Sequence, residues 1–302
     1  MRIAVIFNPS AGRGRSKERD LPRVIAKLSA VGARVESFPT VRTGHAVELA
    51  RRASEDGFER VVAWGGDGTL NEVAGGLLGT DTPMGVLPGG TVNVFAREAH
   101  IPLSLEAALE AMSHGIVKRI PVGLANDRCF LAMAGIGIDA EVVYRMKVAV
   151  KSALGVLAFW LAGFRLLASY PMSPLRVWAD GQERRGTGVI AGKLARFGPR
   201  YFITPDARMD EARFHVVVFQ GDKRRDYLRY LLGVLQRRHL SFEDIEHFKT
   251  DRLTVEADTP VRCQLDGEPA GETPVRLEVR DRALAVILPR VAIVGTSRAG
   301  IE

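Results

Sequence analysis

Cysteine is scarce in this 302-residue chain: Cys129 and Cys263 stand far apart, each in an apolar run, with no CxxC pair and no Cys/His cluster. That argues against a disulfide framework and a cysteine-based zinc site, and both thiols read as small core residues. Long apolar runs are also missing. The least polar stretch, 151–165, falls short of the roughly 20 residues that span a bilayer. The opening run Met1–Phe7 is too short for a signal sequence and ends at Asn8-Pro9, so it predicts a first buried strand and a cytoplasmic chain. Two phosphate-binding signatures are absent. GxxxxGK[ST] does not occur, which excludes a P-loop protein, and no GxGxxG opens the first helix, which argues against a dinucleotide-binding Rossmann domain. Basic segments with interleaved aromatics are lacking, so the formal charge of +7 has no nucleic-acid motif behind it. It favours other anionic partners, phosphate-bearing ligands or acidic membrane surfaces.

What is present reads as an ordinary globular chain, long enough for two modest domains. Over the first 120 residues, strand-like runs at Ile3–Phe7, Arg34–Phe38, Arg60–Trp64 and Met84–Leu87 alternate with helix-period segments near 17–31, 45–55 and 69–78. That alternation predicts a mostly parallel sheet with covered faces, whose ligands bind where the loops gather at the carboxyl ends of the strands. Beyond 120 the pattern changes to short strand candidates separated by Gly, Asp and Pro, among them Val117–Leu124, Cys129–Ala134, Phe214–Phe219, Val261–Leu265, Val275–Val279 and Leu284–Leu288. These predict an antiparallel sandwich interrupted by helices near 140–168 and 222–238. The expected domains are 1–120 and 121–302, allowing for the last residues to return to the first.

The chemistry is concentrated in three glycine-rich loops. Gly65-Gly66-Asp67-Gly68-Thr69-Leu70-Asn71 follows the strand Val61–Ala63 directly. Glycine admits close approach of a phosphate, and the helix expected from Thr69 offers free N–H groups and a partial positive charge to an anion. Asp67 puts a carboxylate in the same turn, able to orient a metal ion or a reacting hydroxyl. A plain tight turn is the structural alternative. Asn8-Pro9-Ser10-Ala11-Gly12 follows the first strand, and Pro88-Gly89-Gly90-Thr91-Val92-Asn93 follows the fourth. Three such loops at equivalent ends of one parallel sheet would line one crevice.

Together, GGDGTLNEV at 65–73, NPSAG at 8–12 and PGGTVN at 88–93 resemble the nucleotide-binding motifs of the diacylglycerol kinase catalytic family. Further matches run downstream at Ala134–Glu141, Pro205-Asp206-Ala207 and Gln264–Pro269. The resemblance implies a phosphofructokinase-like or NAD kinase-like α/β unit, a C-terminal β-sandwich, and ATP in the cleft between them. It places nucleotide contacts on Asn8, Pro9, Ser10, Ala11, Gly12, Thr40, Gly65, Gly66, Asp67, Gly68, Thr69, Leu70, Asn71 and Thr91. Asp266-Gly267-Glu268 is similar to the family's DGE, which makes Glu268 the general base, with Asp266 beside it and Asp67 as the other candidate. A hairpin turn is the alternative reading of Asp-Gly-Glu. By the same resemblance, a structural Mg²⁺ would be held by the carbonyls of Arg208 and Arg213 and the side chain of Glu211.

The chain departs from the family pattern at Val94 and Pro121, where aspartates are usual, and at Glu211. The implied activity is ATP- and Mg²⁺-dependent phosphorylation of a lipid hydroxyl. Two rivals stand beside it: an NAD kinase, whose family shares the GGDGT loop, and a nucleotide- or lipid-binding relative without catalysis. The segment 151–165, with Phe159, Trp160 and Phe164 flanked by Lys147, Lys151 and Arg165, reads either as a buried helix or as one touching a membrane. A second basic group, Lys223, Arg224, Arg225, Arg229, Arg237 and Arg238, surrounds the helical run Tyr227–Leu235. It is either a solvated face or a transient contact for anionic headgroups, which would put the chain at the periphery of the membrane. Oligomeric state stays open, a homodimer included.

Overall fold

The computed structural model describes residues 1–10, 16–149, 170, 172–198 and 200–290. The chain forms two compact units, Met1–Val122 with the chain from Arg280 onward, and Gly123–Val279.

The first unit is built from β1 (Arg2–Phe7), α1 (Ser16–Ser29), β2 (Arg34–Pro39), α2 (His45–Glu55), β3 (Arg60–Gly65), α3 (Asp67–Leu77), β4 (Met84–Pro88), α4 (Val94–Glu98) and α5 (Leu105–Ser113). Its strands lie parallel in the order β2-β1-β3-β4. Sequence pattern explains that order. The central strands β1, β3 and β4 are continuous apolar runs, as strands covered on both faces must be, whereas β2 is half-exposed along its length and sits at the edge. Helix α2 buries Ala46, Ala50 and Ala53, three small residues on one stripe, and the glycine at 76 lets α3 approach it closely.

Two strands carry the chain between units: β5 (Ile116–Ala125) leaves the first, and β18 (Val275–Leu288) returns to it, pairing parallel with β4 at Val286. The second unit adds β6 (Arg128–Phe130), β7 (Met133–Ile136), α6 (Ile138–Ala149), β8 (Leu175–Ala179), β9 (Gln182–Gly186), β10 (Gly188–Gly192), the short pair β11 (Arg196–Phe197) and β12 (Tyr201–Phe202), β13 (Phe214–Phe219), α7 (Arg224–Leu235), β14 (Ile245–Thr250), β15 (Arg252–Ala257), β16 (Arg262–Leu265) and β17 (Glu268–Glu272). An antiparallel sheet runs β14-β13-β10-β7-β16-β17, and a second joins β9, β8, β15 and the first half of β18. Their inward residues, including Phe130, Val177, Val189, Phe214, Val255 and Leu277, form one apolar core in which the Phe130 and Phe214 rings stack at 5.7 Å. Helix α7 covers the other side of the first of these sheets, seating Tyr227 and Tyr230 against Ile190, Val217 and Phe219.

This is the expected α/β unit followed by an antiparallel β-sandwich. Some elements differ from the sequence expectation. The run at 129–134 is split into β6 and β7, and the two strands expected at 275–279 and 284–288 are one. Polar residues at 280–282 hide that continuity, and Arg282 adopts a left-handed conformation within it (φ 48°). Helices α4 and α5 are additional. Among the described residues no helix is long and apolar enough to cross a membrane.

Candidate active site

The three glycine-rich loops meet at the carboxyl edge of the parallel sheet of the first unit. Gly89 N–H donates to the Gly65 carbonyl at 2.7 Å, Asn8 N–H to the Trp64 carbonyl at 3.3 Å, and Thr40 N–H to the Phe7 carbonyl at 2.8 Å. Gly66 and Gly90 pass so close that a side chain on Gly90 would lie 2.6 Å from the Gly66 Cα, so glycine there is a packing requirement. Asn8 closes its own turn by accepting the Ser10 N–H at 2.9 Å. Helix α3 begins at Asp67, two residues earlier than expected, so Gly68, Thr69 and Asn71 lie in its first turns. Leu70 is buried, its N–H bonded to the Gly66 carbonyl at 3.1 Å, while Thr91 is exposed ahead of α4. Asn8, Pro9, Ser10, Thr40, Gly65–Asn71 and Thr91 are thus brought to one edge. Ala11 and Gly12 lie outside the described residues, as does the segment 151–165.

Lys17 escaped the sequence reading, because it follows an Arg-rich stretch that reads as solvated. Its side chain is buried, and its ammonium donates to the carbonyls of Asn8 (3.2 Å) and Gly89 (3.3 Å), tying the first loop to the third. Burial lowers its pKa to about 8. Glu72, quoted in the GGDGTLNEV run but given no role there, accepts the N–H groups of Gly44 and Ala46 on its carboxylate, capping α2 from α3.

Asp67 does a comparable task. Its two carboxylate oxygens accept the N–H groups of Val94 (3.0 Å) and Phe95 (3.1 Å), the start of α4. Asn93 precedes them in a left-handed conformation, its amide closed onto the N–H and carbonyl of Gly90. Burial pushes the Asp67 carboxyl up, and the N–H groups of Val94, Phe95 and Asn93 pull it back. Both glycine loops are therefore pinned to each other through one acid.

In the second unit, Asp266 and Gly267 are the two central residues of a hairpin joining β16 to β17, with φ of 50° and 81° and Leu265 facing Glu268. Two positive φ values in a two-residue loop define a type I′ turn, which Asp-Gly suits. The hairpin turn expected of Asp-Gly-Glu is formed, and Glu268 directly follows it. The Asp266 carboxylate accepts three N–H groups, from Leu131 (2.7 Å), Ala132 (2.9 Å) and Met133 (2.6 Å), which fixes it to the bend between β6 and β7. Glu268 remains partly exposed, at 29%, and accepts from Arg128 at 3.3 Å. Gln264 links the turn to α6: its oxygen accepts the Gly267 N–H, and its amide donates to Asp139 at 3.0 Å. Burial raises the Asp139 pKa to about 6 against the pull of the Gln264 bond. Gly135 has to be glycine here, since a Cβ would lie 1.8 Å from an Asp139 oxygen.

Of the expected Mg²⁺ ligands, Glu211 does not fit a bound ion. Both Glu211 carboxylate oxygens are taken, one by Lys249 Nζ (3.0 Å) and one by His215 Nε2 (2.8 Å). The Glu211 carbonyl accepts the buried Lys193 ammonium, and the Arg208 carbonyl accepts the Glu211 N–H at 3.1 Å. A divalent ion on Glu211 would share its ligand residue with two ammonium groups. Each unit-charge repulsion at 4 Å costs roughly 4 kcal/mol in a protein-like dielectric, and a divalent ion doubles it. Among the described residues no three His, Cys, Asp or Glu side chains converge as a metal site.

Fold and loops together define a class: an α/β unit with three glycine-rich loops at one sheet edge, followed in sequence by an antiparallel sandwich. The family model of the diacylglycerol kinase catalytic domain matches residues 2–125, and that of the YegS C-terminal NAD kinase beta sandwich-like domain matches 132–288. Diacylglycerol kinases of Staphylococcus aureus, strains MRSA252 and bovine RF122 / ET3-1, are 28% identical over 297 residues, covering 95% of this chain and 92% of theirs. Two solved structures from Bacillus anthracis str. Sterne share the fold, with TM-scores of 0.80 and 0.77 at 24% identity, across 96% of this chain and 98% of theirs. The chain belongs to the diacylglycerol kinase catalytic family, a family of lipid kinases.

Proposed function

We propose that this protein transfers the γ-phosphate of ATP to the hydroxyl of a diacylglycerol-like lipid. The observation that carries the reading is the meeting of three glycine-rich loops, cross-linked by Lys17 and Asp67, at one sheet edge of a family member. Phosphoryl transfer asks for positioning and charge neutralisation more than for covalent chemistry. The N–H groups at the start of α3 suit the phosphates, and Mg²⁺ arriving with the nucleotide supplies further neutralisation. Glu268, the accessible acid of the hairpin, takes the proton of the lipid hydroxyl as its oxygen bonds to the γ-phosphorus and the bond from that phosphorus to the leaving ADP breaks. Asp266 and Asp67 act as positioning residues, one holding the hairpin and the other the glycine loops.

The acceptor implies a lipid surface, and α7 supplies a face for one. Leu228, Leu232 and Leu235 are each at least 40% exposed and fall on one helical stripe, with Arg224 and Arg225 at its near end. An exposed apolar stripe edged by arginine suits the headgroup layer of an anionic bilayer. Activity against a panel of detergent-dispersed lipids, with NAD as a competing acceptor, tests the proposal. Label in a lipid supports it. Label in NAD alone would transfer the protein to the rival NAD kinase reading, whose family shares the GGDGT loop.

A further inference from the structure

We infer that this chain has exchanged a bound divalent cation for an ammonium group of its own, Lys193, at the loop following Pro205-Asp206-Ala207. Lys193 follows directly on β10, is 1% exposed, and donates its ammonium to the carbonyl of Glu211. A structural cation in such a loop gathers carbonyl oxygens, and an ammonium with three donors and a single charge can take that place; the Lys193 ammonium takes the Glu211 carbonyl.

The rest of the site is built to match. His215 on β13 and Lys249 on β14 are directly paired across the two strands. Opposed basic residues on one face call for an anion between them, and Glu211 supplies it, bonding each with a different oxygen. The glutamate at this position is therefore one side of a protein-internal network, not an imperfect metal ligand. The network also reaches the hairpin. The Lys193 and Leu194 N–H groups donate to the Ala132 carbonyl at 2.7 and 3.1 Å, and the Ala132 N–H donates to Asp266. One bend thus joins the Lys193 clamp to the turn that presents Glu268.

Thermal unfolding of the nucleotide-free protein tests this, in EDTA and in millimolar MgCl₂. The wild-type midpoint is expected to be the same in both. Lys193→Met is expected to lower it by several degrees, on the order of 5 °C, whether or not Mg²⁺ is present. A wild-type midpoint that rises with Mg²⁺, by an increment that Glu211→Gln abolishes, would overturn the inference. So would a Lys193→Met protein as stable as wild type. The metal comparison uses only wild type and Glu211→Gln, so it holds even if Lys193→Met does not fold.

Discussion

The carboxylate of Asp67 accepts the backbone N–H of Val94 at 3.0 Å, joining the acid of the second glycine-rich loop to the residue where the third departs from the family pattern. Because the contact is to main chain, valine at 94 leaves it intact. Asp67→Ala would strand two N–H groups at the start of α4, and unsatisfied buried donors cost about 1–3 kcal/mol each. The expected result is a lower unfolding midpoint together with a raised KM for ATP. Asp67→Asn, which keeps one acceptor oxygen, should fall between. An Asp67→Ala protein with an unchanged midpoint would show that the cap carries no weight.

Glu268→Gln removes the proton acceptor while preserving size and a hydrogen-bonding oxygen for Arg128. General-base catalysis contributes roughly 10²–10⁴-fold, so kcat should fall within that range while the KM for ATP stays near wild type. Asp266→Asn should behave differently, with turnover and stability declining together, because three N–H groups lose part of their acceptor.

Much of this was legible in the sequence because strong local signals agreed with one another. Apolar runs at β1, β3 and β4, followed each time by glycine, place three loops at one sheet edge, and Asp266-Gly267 is a hairpin signal in its own right. Less legible was what depends on partners distant in the chain. The cap that Asp67 provides for α4 spans 27 residues, Lys17 reaches Gly89 across 72, and Asp266 binds a bend some 135 residues earlier. A lone lysine or aspartate carries no local mark of such a contact. Nor did the expected metal ligands announce that Lys193, Lys249 and His215 would surround them, since these come from three separate strands or loops.

Asp139 should leave a pH signature. Burial raises its pKa to about 6, above the usual carboxylate value of 3.8, so the folded protein holds the proton more tightly than the unfolded chain. The stability it contributes is complete below the usual value and is lost as pH rises through about 6. Asp139→Asn stays neutral throughout. Its midpoint relative to wild type should therefore climb as pH goes from about 4 to about 7, by an amount corresponding to about 1–3 kcal/mol. A difference independent of pH would remove burial of this carboxylate as a cost.

Membrane contact through α7 predicts that the protein floats with vesicles containing phosphatidylglycerol and does so less in high salt. Leu232→Glu puts a charge in the middle of the exposed stripe and should abolish flotation, with activity on detergent-dispersed lipid unaffected. Flotation undiminished in Leu232→Glu and in Arg224→Glu/Arg225→Glu would show that another surface makes the contact.

The most direct test of the account is transfer of label from γ-³²P-ATP to a diacylglycerol dispersed in detergent with Mg²⁺, comparing wild type with Glu268→Gln. The account predicts labelled phospholipid from wild type and a loss of at least about a hundredfold in the variant. No labelled lipid from wild type, or equal labelling by both proteins, would contradict it.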